Sequence, residues 1–162
     1  MTAGAEPDVR LPDGRRVVAG AVLLHPDGRV LLQLRDDKPG IVSPGEWSLF
    51  GGGVDVGETP AEGMRREIAE EIGFHVRHFR PLLVYEGWPA QYHIFLAAID
   101  AATEELVLAE GAGLDYWEPD EVVARARVTS IARLSVVAMQ ELKRQRAEAG
   151  SEDRELLPGA GY

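Results

Sequence analysis

Three glutamates, Glu67, Glu70 and Glu71, crowd into one short stretch of the chain, Pro60–Ile72. On a helix they are i, i+3 and i+4 neighbours, so the carboxylates fall on one arc beside the apolar stripe Ala61, Met64, Ile68 and Ile72. Like charges at this spacing oppose an isolated helix by a few tenths of a kcal/mol per pair. They also stand near the helix C-terminus, where the backbone dipole disfavours anions. A chain tuned for stability alone would place Lys or Arg there. Clustered carboxylates are suited to Mg²⁺ or Mn²⁺, hard cations that take oxygen ligands and keep several waters for a phosphate-bearing partner. The plain alternative is a solvated acidic face, partly neutralised by Arg65 and Arg66.

The ends of this helix are written locally. Thr59 suits the N-cap, Pro60 the first helical position and Glu62 the capping box, while Gly73 suits a left-handed C-cap. Ahead of it run Gly51-Gly52-Gly53 and then Gly57-Glu58, glycines that permit close backbone approach. Gly52, five residues, Glu58, seven residues and Arg66-Glu67-Ile68-Ala69-Glu70-Glu71-Ile72-Gly73-Phe74 together span 23 positions. This string resembles the Nudix hydrolase signature at every defining position, and the fixed spacings decide against the solvated face.

The resemblance covers Val17 to about Ala147 and implies an α/β fold: an αβα sandwich around a mixed sheet, with a loop–helix–loop catalytic motif. It implies Glu67, Glu70 and Glu71 as ligands of Mg²⁺ or Mn²⁺, with the Gly52 carbonyl as a further oxygen. Glu58 and Arg66 would pair and aim Glu67, and Gly51, Glu58 and Gly73 would support the site. The implied reaction is attack of water on a phosphorus of a pyrophosphate bridge. The base is a signature glutamate or a later carboxylate, for which Glu110 in Ala109-Glu110-Gly111 is the candidate. Arg66, Glu67, Glu70 and Glu110 are thus the expected catalytic set. Two positions depart from the usual pattern. Phe50 stands where a proline is common, and Gly63 replaces an alanine, which we read as making room for substrate or backbone at about 1 kcal/mol of helix propensity.

Around the motif, the strands Val17–Leu24 and Val30–Leu34 flank a turn at His25-Pro26-Asp27-Gly28 and are apolar on nearly every residue, so both faces should be covered. A brief strand at Trp47–Phe50 is interrupted by the glycines. Strands at 82–85 and 92–99 join through Gly87-Trp88-Pro89, Leu114–Trp117 forms another, and Pro119 opens a small helix. A last helix over Ser130–Ala147 shows Ile131, Leu134, Ala138 and Leu142 on one stripe. The expected organisation is a flexible arm at 1–15, one Nudix domain at 16–148 and a flexible tail at 149–162.

With 17 basic and 27 acidic residues the net charge is −10, which argues against long nucleic acid as a partner. The chain has no cysteine, hence no disulfide framework and no thiolate chemistry. Its longest apolar run falls far short of the ~20 residues that span a bilayer, and its start lacks a signal pattern. A cytoplasmic enzyme with no membrane partner is expected. Nudix proteins are often dimers, so a homodimer stays open.

The substrate expected from the resemblance is a nucleoside diphosphate linked to another moiety, of the ADP-ribose or nucleotide-sugar kind. Alternatives are a nucleoside triphosphate pyrophosphohydrolase that sanitises oxidised nucleotides, or a silent nucleotide sensor. The complete ligand set speaks against the sensor. Arg35, Trp47, Phe50 and Tyr92 are the candidate substrate contacts. Pro89 resembles a marker of ADP-ribose members and Tyr92 one of dinucleoside polyphosphate members, so the two markers disagree. His25, His75, His78 and His93 are scattered and read as structural, with His75 and His78 in a strand.

Overall fold

A computed structural model describes residues 8–149. The chain forms β1 (Arg16–Leu24), β2 (Val30–Leu34), β3 (Trp47–Ser48), β4 (Phe50–Gly53), α1 (Pro60–Ile72), β5 (Phe79–Glu86), β6 (Ala90–Ala98), β7 (Gly113–Trp117), α2 (Pro119–Ala124) and α3 (Ser130–Glu148), with a 3₁₀ turn at Thr103–Glu105. One mixed sheet holds all the strands in the order β3-β2-β1-β6-β5, with β4 added to β1 and β7 to β2. β1 and β6 run parallel and the other pairs antiparallel.

The nearly unbroken apolar character of β1 and β2 is explained by helices on both faces. On one face Ala19, Ala21, Leu23, Leu31 and Phe50 pack against Met64, Ile68 and Ile72 of α1. On the other, Val22, Val30, Leu32 and Leu96 pack against Val122 of α2 and Ala132, Val136 and Met139 of α3. The α1 stripe is the one the periodicity predicts. The α3 stripe is partly as expected: Ile131 and Leu142 pack half-buried against the core, but its fully buried face is Ala132, Ser135, Val136 and Met139, while Leu134 is 41% exposed. Ser135 can be buried because its hydroxyl donates to the Ile131 carbonyl at 2.7 Å.

Two further expectations are corrected. Gly51–Gly53 do not interrupt a strand; they belong to β4 and pair with Val18–Gly20 of β1. The β1 edge therefore changes partner, from β4 over Val18–Ala21 to β2 at Leu23–Leu24, and the glycines are brought beside α1. His75 and His78 stand in the loop before β5 rather than in a strand.

Of the arm expected over 1–15, residues 8–15 are tied down. The Val9 N–H donates to the Val54 carbonyl at 2.7 Å, and the Arg16 Nε donates to Asp8 Oδ2 at 2.6 Å. Residues 1–7 and 150–162 of the expected arm and tail lie outside the described residues. No helix among the described residues is long and apolar enough to cross a membrane.

Candidate active site

Local chemistry sets the frame of α1. The Thr59 side chain accepts from the Glu62 N–H at 3.2 Å, and Glu62 Oε2 accepts from the Thr59 N–H at 2.7 Å, closing the capping box. At the other end Gly73 adopts φ 68° and its N–H donates to the Ala69 carbonyl. The carbonyls left over at that end are taken by a distant loop: the Ala109 N–H donates to Glu71 O at 2.8 Å and the Val107 N–H to Ile72 O at 3.1 Å. Satisfying these orphan acceptors draws the loop bearing Glu110 onto the end of α1.

Arg66 joins helix and loop. Its Nε donates to Glu58 Oε1 at 2.7 Å, and its terminal nitrogens reach the Gly53 carbonyl at 2.8 Å, Glu67 Oε1 at 2.7 Å and Glu70 Oε2 at 3.3 Å. Asp55 Oδ2 lies 3.4 Å away. This guanidinium holds the Glu58 carboxyl below the usual range, and Glu58 also accepts from the Asp55 N–H. The expected pairing of Glu58 with Arg66 is thus present, as is the link from Arg66 to Glu67.

The glycines are required by approach. A Cβ on Gly52 would lie 2.6 Å from the Glu67 carboxyl carbon. Gly51 sits at φ 141°, and a Cβ there would stand 2.3 Å from the Ala19 carbonyl oxygen. Its N–H instead donates to Glu71 Oε2 at 2.9 Å. Gly63 is a matter of room for the loop: a Cβ would come within 3.2 Å of Val54 and 3.3 Å of Glu58 Oε2.

Glu71 is only 6% exposed, and burial pushes its carboxyl up to about 8 despite the donors at Gly51 and Gln33. Burial also raises Glu67, which Arg66 partly offsets and the charges of Glu70 and Glu110 reinforce. Glu110 is exposed at the rim, where its charge acts on both Glu67 and Glu71. The signature carboxylates and Glu110 therefore share one electrostatic neighbourhood.

Among the described residues, no three His, Asp or Glu side chains stand gathered tightly enough to hold an ion as placed. Each carboxylate turns to its own donor: Glu67 and Glu70 to Arg66, Glu71 to Gly51 and Gln33. The donor chemistry nonetheless fits a hard divalent cation, since every group is an oxygen anion and two are raised by crowding and burial.

The expected substrate contacts fare differently. Phe50 is fully buried under α1 among Ala21, Met64 and Ile68, so it is a core residue and not a substrate contact. Trp47 and Tyr92 pack on the α3 face, away from the layer that carries the glutamates; Trp47 meets the Trp117 ring edge-on at 5.0 Å. Arg35 donates from Nε to the Val42 carbonyl at 2.7 Å, closing the loop that follows β2. Two site residues were absent from the sequence reading, Asp55 and Gln33. For Gln33 a signal existed: it is the one polar side chain in Val30–Leu34.

Comparison with known proteins agrees with this geometry. The sequence profile of the NUDIX domain matches residues 14–158. An RNA pyrophosphohydrolase of Psychrobacter cryohalolentis is 38% identical over 76 residues, 47% of this chain; the chain spans 40% of that protein's length. The crystal structure of a MutT NUDIX hydrolase from Burkholderia pseudomallei superposes with a TM-score of 0.63 at 26% identity, covering 76% of this chain and 97% of that one. The NUDIX domain of Shewanella oneidensis NrtR, solved with ADP ribose, shares the fold with a TM-score of 0.66 at 17% identity, over 82% of this chain and 93% of that one. A profile match over most of the chain, on a signature helix built as the motif requires, makes this chain a member of the NUDIX family.

Proposed function

We propose that the chain is a pyrophosphohydrolase that depends on Mg²⁺ or Mn²⁺ and cuts a phosphoanhydride bond in a nucleoside diphosphate linked to another moiety. The observation that carries this reading is Glu71 bonded to the Gly51 N–H and Glu67 packed against Gly52, with Glu70 and Glu110 acting on the same carboxylates through their charge and Arg66 clamping helix to loop. Glu67, Glu70, Glu71 and the Gly52 carbonyl would hold the cation. Bound there, it would offset charge on the phosphate oxygens and ease deprotonation of water. Glu67 or Glu110 would accept the proton of the attacking water as its oxygen bonds phosphorus and the bridging P–O bond breaks. Arg66 keeps Glu67 on the helix side of the loop, and Glu70 stays at the exposed edge.

A small polyphosphate of the ADP-ribose or nucleotide-sugar kind suits a chain of net charge −10, because a divalent cation recruits it without a basic surface. The name of the Psychrobacter relative favours a second reading, a pyrophosphate group on RNA, with that enzyme's likeness confined to less than half of either chain. A screen of ADP-ribose, nucleotide sugars, dinucleoside polyphosphates, nucleoside triphosphates and 5′-triphosphorylated RNA, with Mg²⁺ or Mn²⁺ and products weighed by mass spectrometry, separates the two. Release of AMP from ADP-ribose, or of the corresponding monophosphate from a nucleotide sugar, supports the first reading. Turnover of RNA alone replaces it with the second. Hydrolysis that ignores chelation of the metal removes both.

A further inference from the structure

Strand β2 carries one polar side chain toward α1, that of Gln33, and it is only 4% exposed. Register places it there: Gln33 pairs with Ser48 of β3 and Leu114 of β7 and shares its face with Leu31, which packs under α1. A leucine would satisfy the pattern of the strand. An amide there needs partners, because a buried amide without hydrogen bonds is strongly disfavoured.

Its partners are specific. Nε2 donates to the Leu49 carbonyl at 3.0 Å and to Glu71 Oε1 at 3.3 Å. Both are acceptors, so the amide cannot be reversed without setting oxygen against oxygen. Its own oxygen lies near Gly111, where an added Cβ would come within 3.3 Å, so the side chain also borders the loop bearing Glu110. Glu71 in turn has each oxygen bonded once, Oε2 to the Gly51 N–H and Oε1 to Gln33.

We propose that Gln33 is a positioning residue for Glu71: its amide, anchored on the Leu49 carbonyl, holds the Glu71 carboxylate beside Gly51 in the orientation in which it takes the cation. The inference rests on the hydrolase reading above, in which Glu71 is a ligand. Without Gln33 the carboxylate keeps a single donor and is free to turn away from Glu67, its like-charged neighbour four residues back. Partners that orient a metal ligand typically contribute about 10–100-fold to metal affinity or activity.

The test uses the full chain and Gln33→Met, which preserves length and removes the donor. Mn²⁺ binding to the apoprotein is read by titration calorimetry, melting by circular dichroism, and turnover on the substrate from the screen. The expected result is a Kd for Mn²⁺ weakened about 10-fold or more, a lower kcat at saturating Mn²⁺ and an unchanged KM. A purely structural amide would lower the melting temperature and leave Mn²⁺ affinity at the wild-type value, which overturns the assignment. Should Gln33→Met fail to fold, Gln33→Asn keeps the amide, shortens its reach by one methylene and faces the same criterion. Wild-type protein that takes up no Mn²⁺ and hydrolyses nothing overturns the hydrolase reading together with this one. Wild-type Mn²⁺ binding with unaltered affinity in the variant overturns only the role of Gln33.

Discussion

Replacing Glu71 by Gln should make the apoprotein more stable at alkaline pH while ending its response to metal. A carboxyl that releases its proton near pH 8 rather than 4.5 is harder to ionise in the folded chain by about 5 kcal/mol. The sign follows from linkage. The folded state holds this proton more tightly than the unfolded one, so its contribution is full below pH 4.5 and is lost as pH rises through about 8. Glutamine removes the ionisation but brings its own mismatch, because its NH₂ group would face one of the two donors, Gly51 N–H or Gln33 Nε2, that now serve the carboxylate. An unmet buried donor of this kind costs about 1–3 kcal/mol. The net gain at pH 9 is therefore about 2–4 kcal/mol, or roughly 4–16 °C in melting temperature for a domain of this size. At pH 5 the gain should vanish or reverse. Thermal melts of both proteins from pH 5 to 9, in EDTA and in MgCl₂, give the measurement. Mg²⁺ should raise the melting temperature of the wild type at pH 8–9 and leave the variant unmoved. A difference between the proteins that does not change with pH would refute the reasoning, since only ionisation of Glu71 supplies the slope.

Arg66→Ala removes the partner of Glu58, Glu67, Glu70 and the Gly53 carbonyl at once and should lower stability by about 2–4 kcal/mol, measured by urea unfolding, with kcat falling more than KM rises. Gly52→Ala places a methyl 2.6 Å from the Glu67 carboxyl carbon; we expect turnover to drop at least ~100-fold with far-ultraviolet dichroism unchanged. Phe50→Ala empties a fully buried position under α1 and should destabilise by about 3–5 kcal/mol in the same unfolding assay, and the KM of the residual folded enzyme should stay at the wild-type value.

What could be read from the sequence was what local chemistry writes down. The capping box of Thr59 and Glu62, the C-cap at Gly73 and the stripe Met64, Ile68, Ile72 each depend on residues within a few positions, and each is present. The α3 face was read in part: Ile131 and Leu142 do pack against the core, but Ala132, Ser135, Val136 and Met139 repeat at helical spacing as well and form its fully buried line, leaving Leu134 outside. Phe50 carries no sign of its side: an aromatic before a glycine run fits a substrate contact or a core residue, and only the pairing of Phe50 with Ala21 on the α1 face decides. Gln33 stood in plain view as an amide in an apolar strand. Its meaning depends on a contact across 38 residues of sequence, which no local pattern encodes.

The arrangement of donors explains why this site should wait for a cation. Four carboxylates, those of Asp55, Glu58, Glu67 and Glu70, lie within ion-pair distance of one guanidinium, and Glu110 and, once ionised, Glu71 add to the same negative field. The last turn of α1 contains no basic residue, so no cation within that turn offsets its negative end. Backbone N–H groups do part of that work: Gly51 serves Glu71 itself, while Val107 and Ala109 take the carbonyls at the helix end. These dipoles orient the anions without cancelling their charge. An extra lysine could neutralise the cluster, yet it would form ion pairs with the carboxylates and leave no open face for phosphate. A divalent ion carries twice the charge in less volume and keeps coordination positions for the substrate. On the hydrolase reading, the excess of carboxylates over Arg66 would thus be a destabilising feature of the apoprotein that turns into an affinity for metal, and the same surplus would repel a polyphosphate that arrives without one.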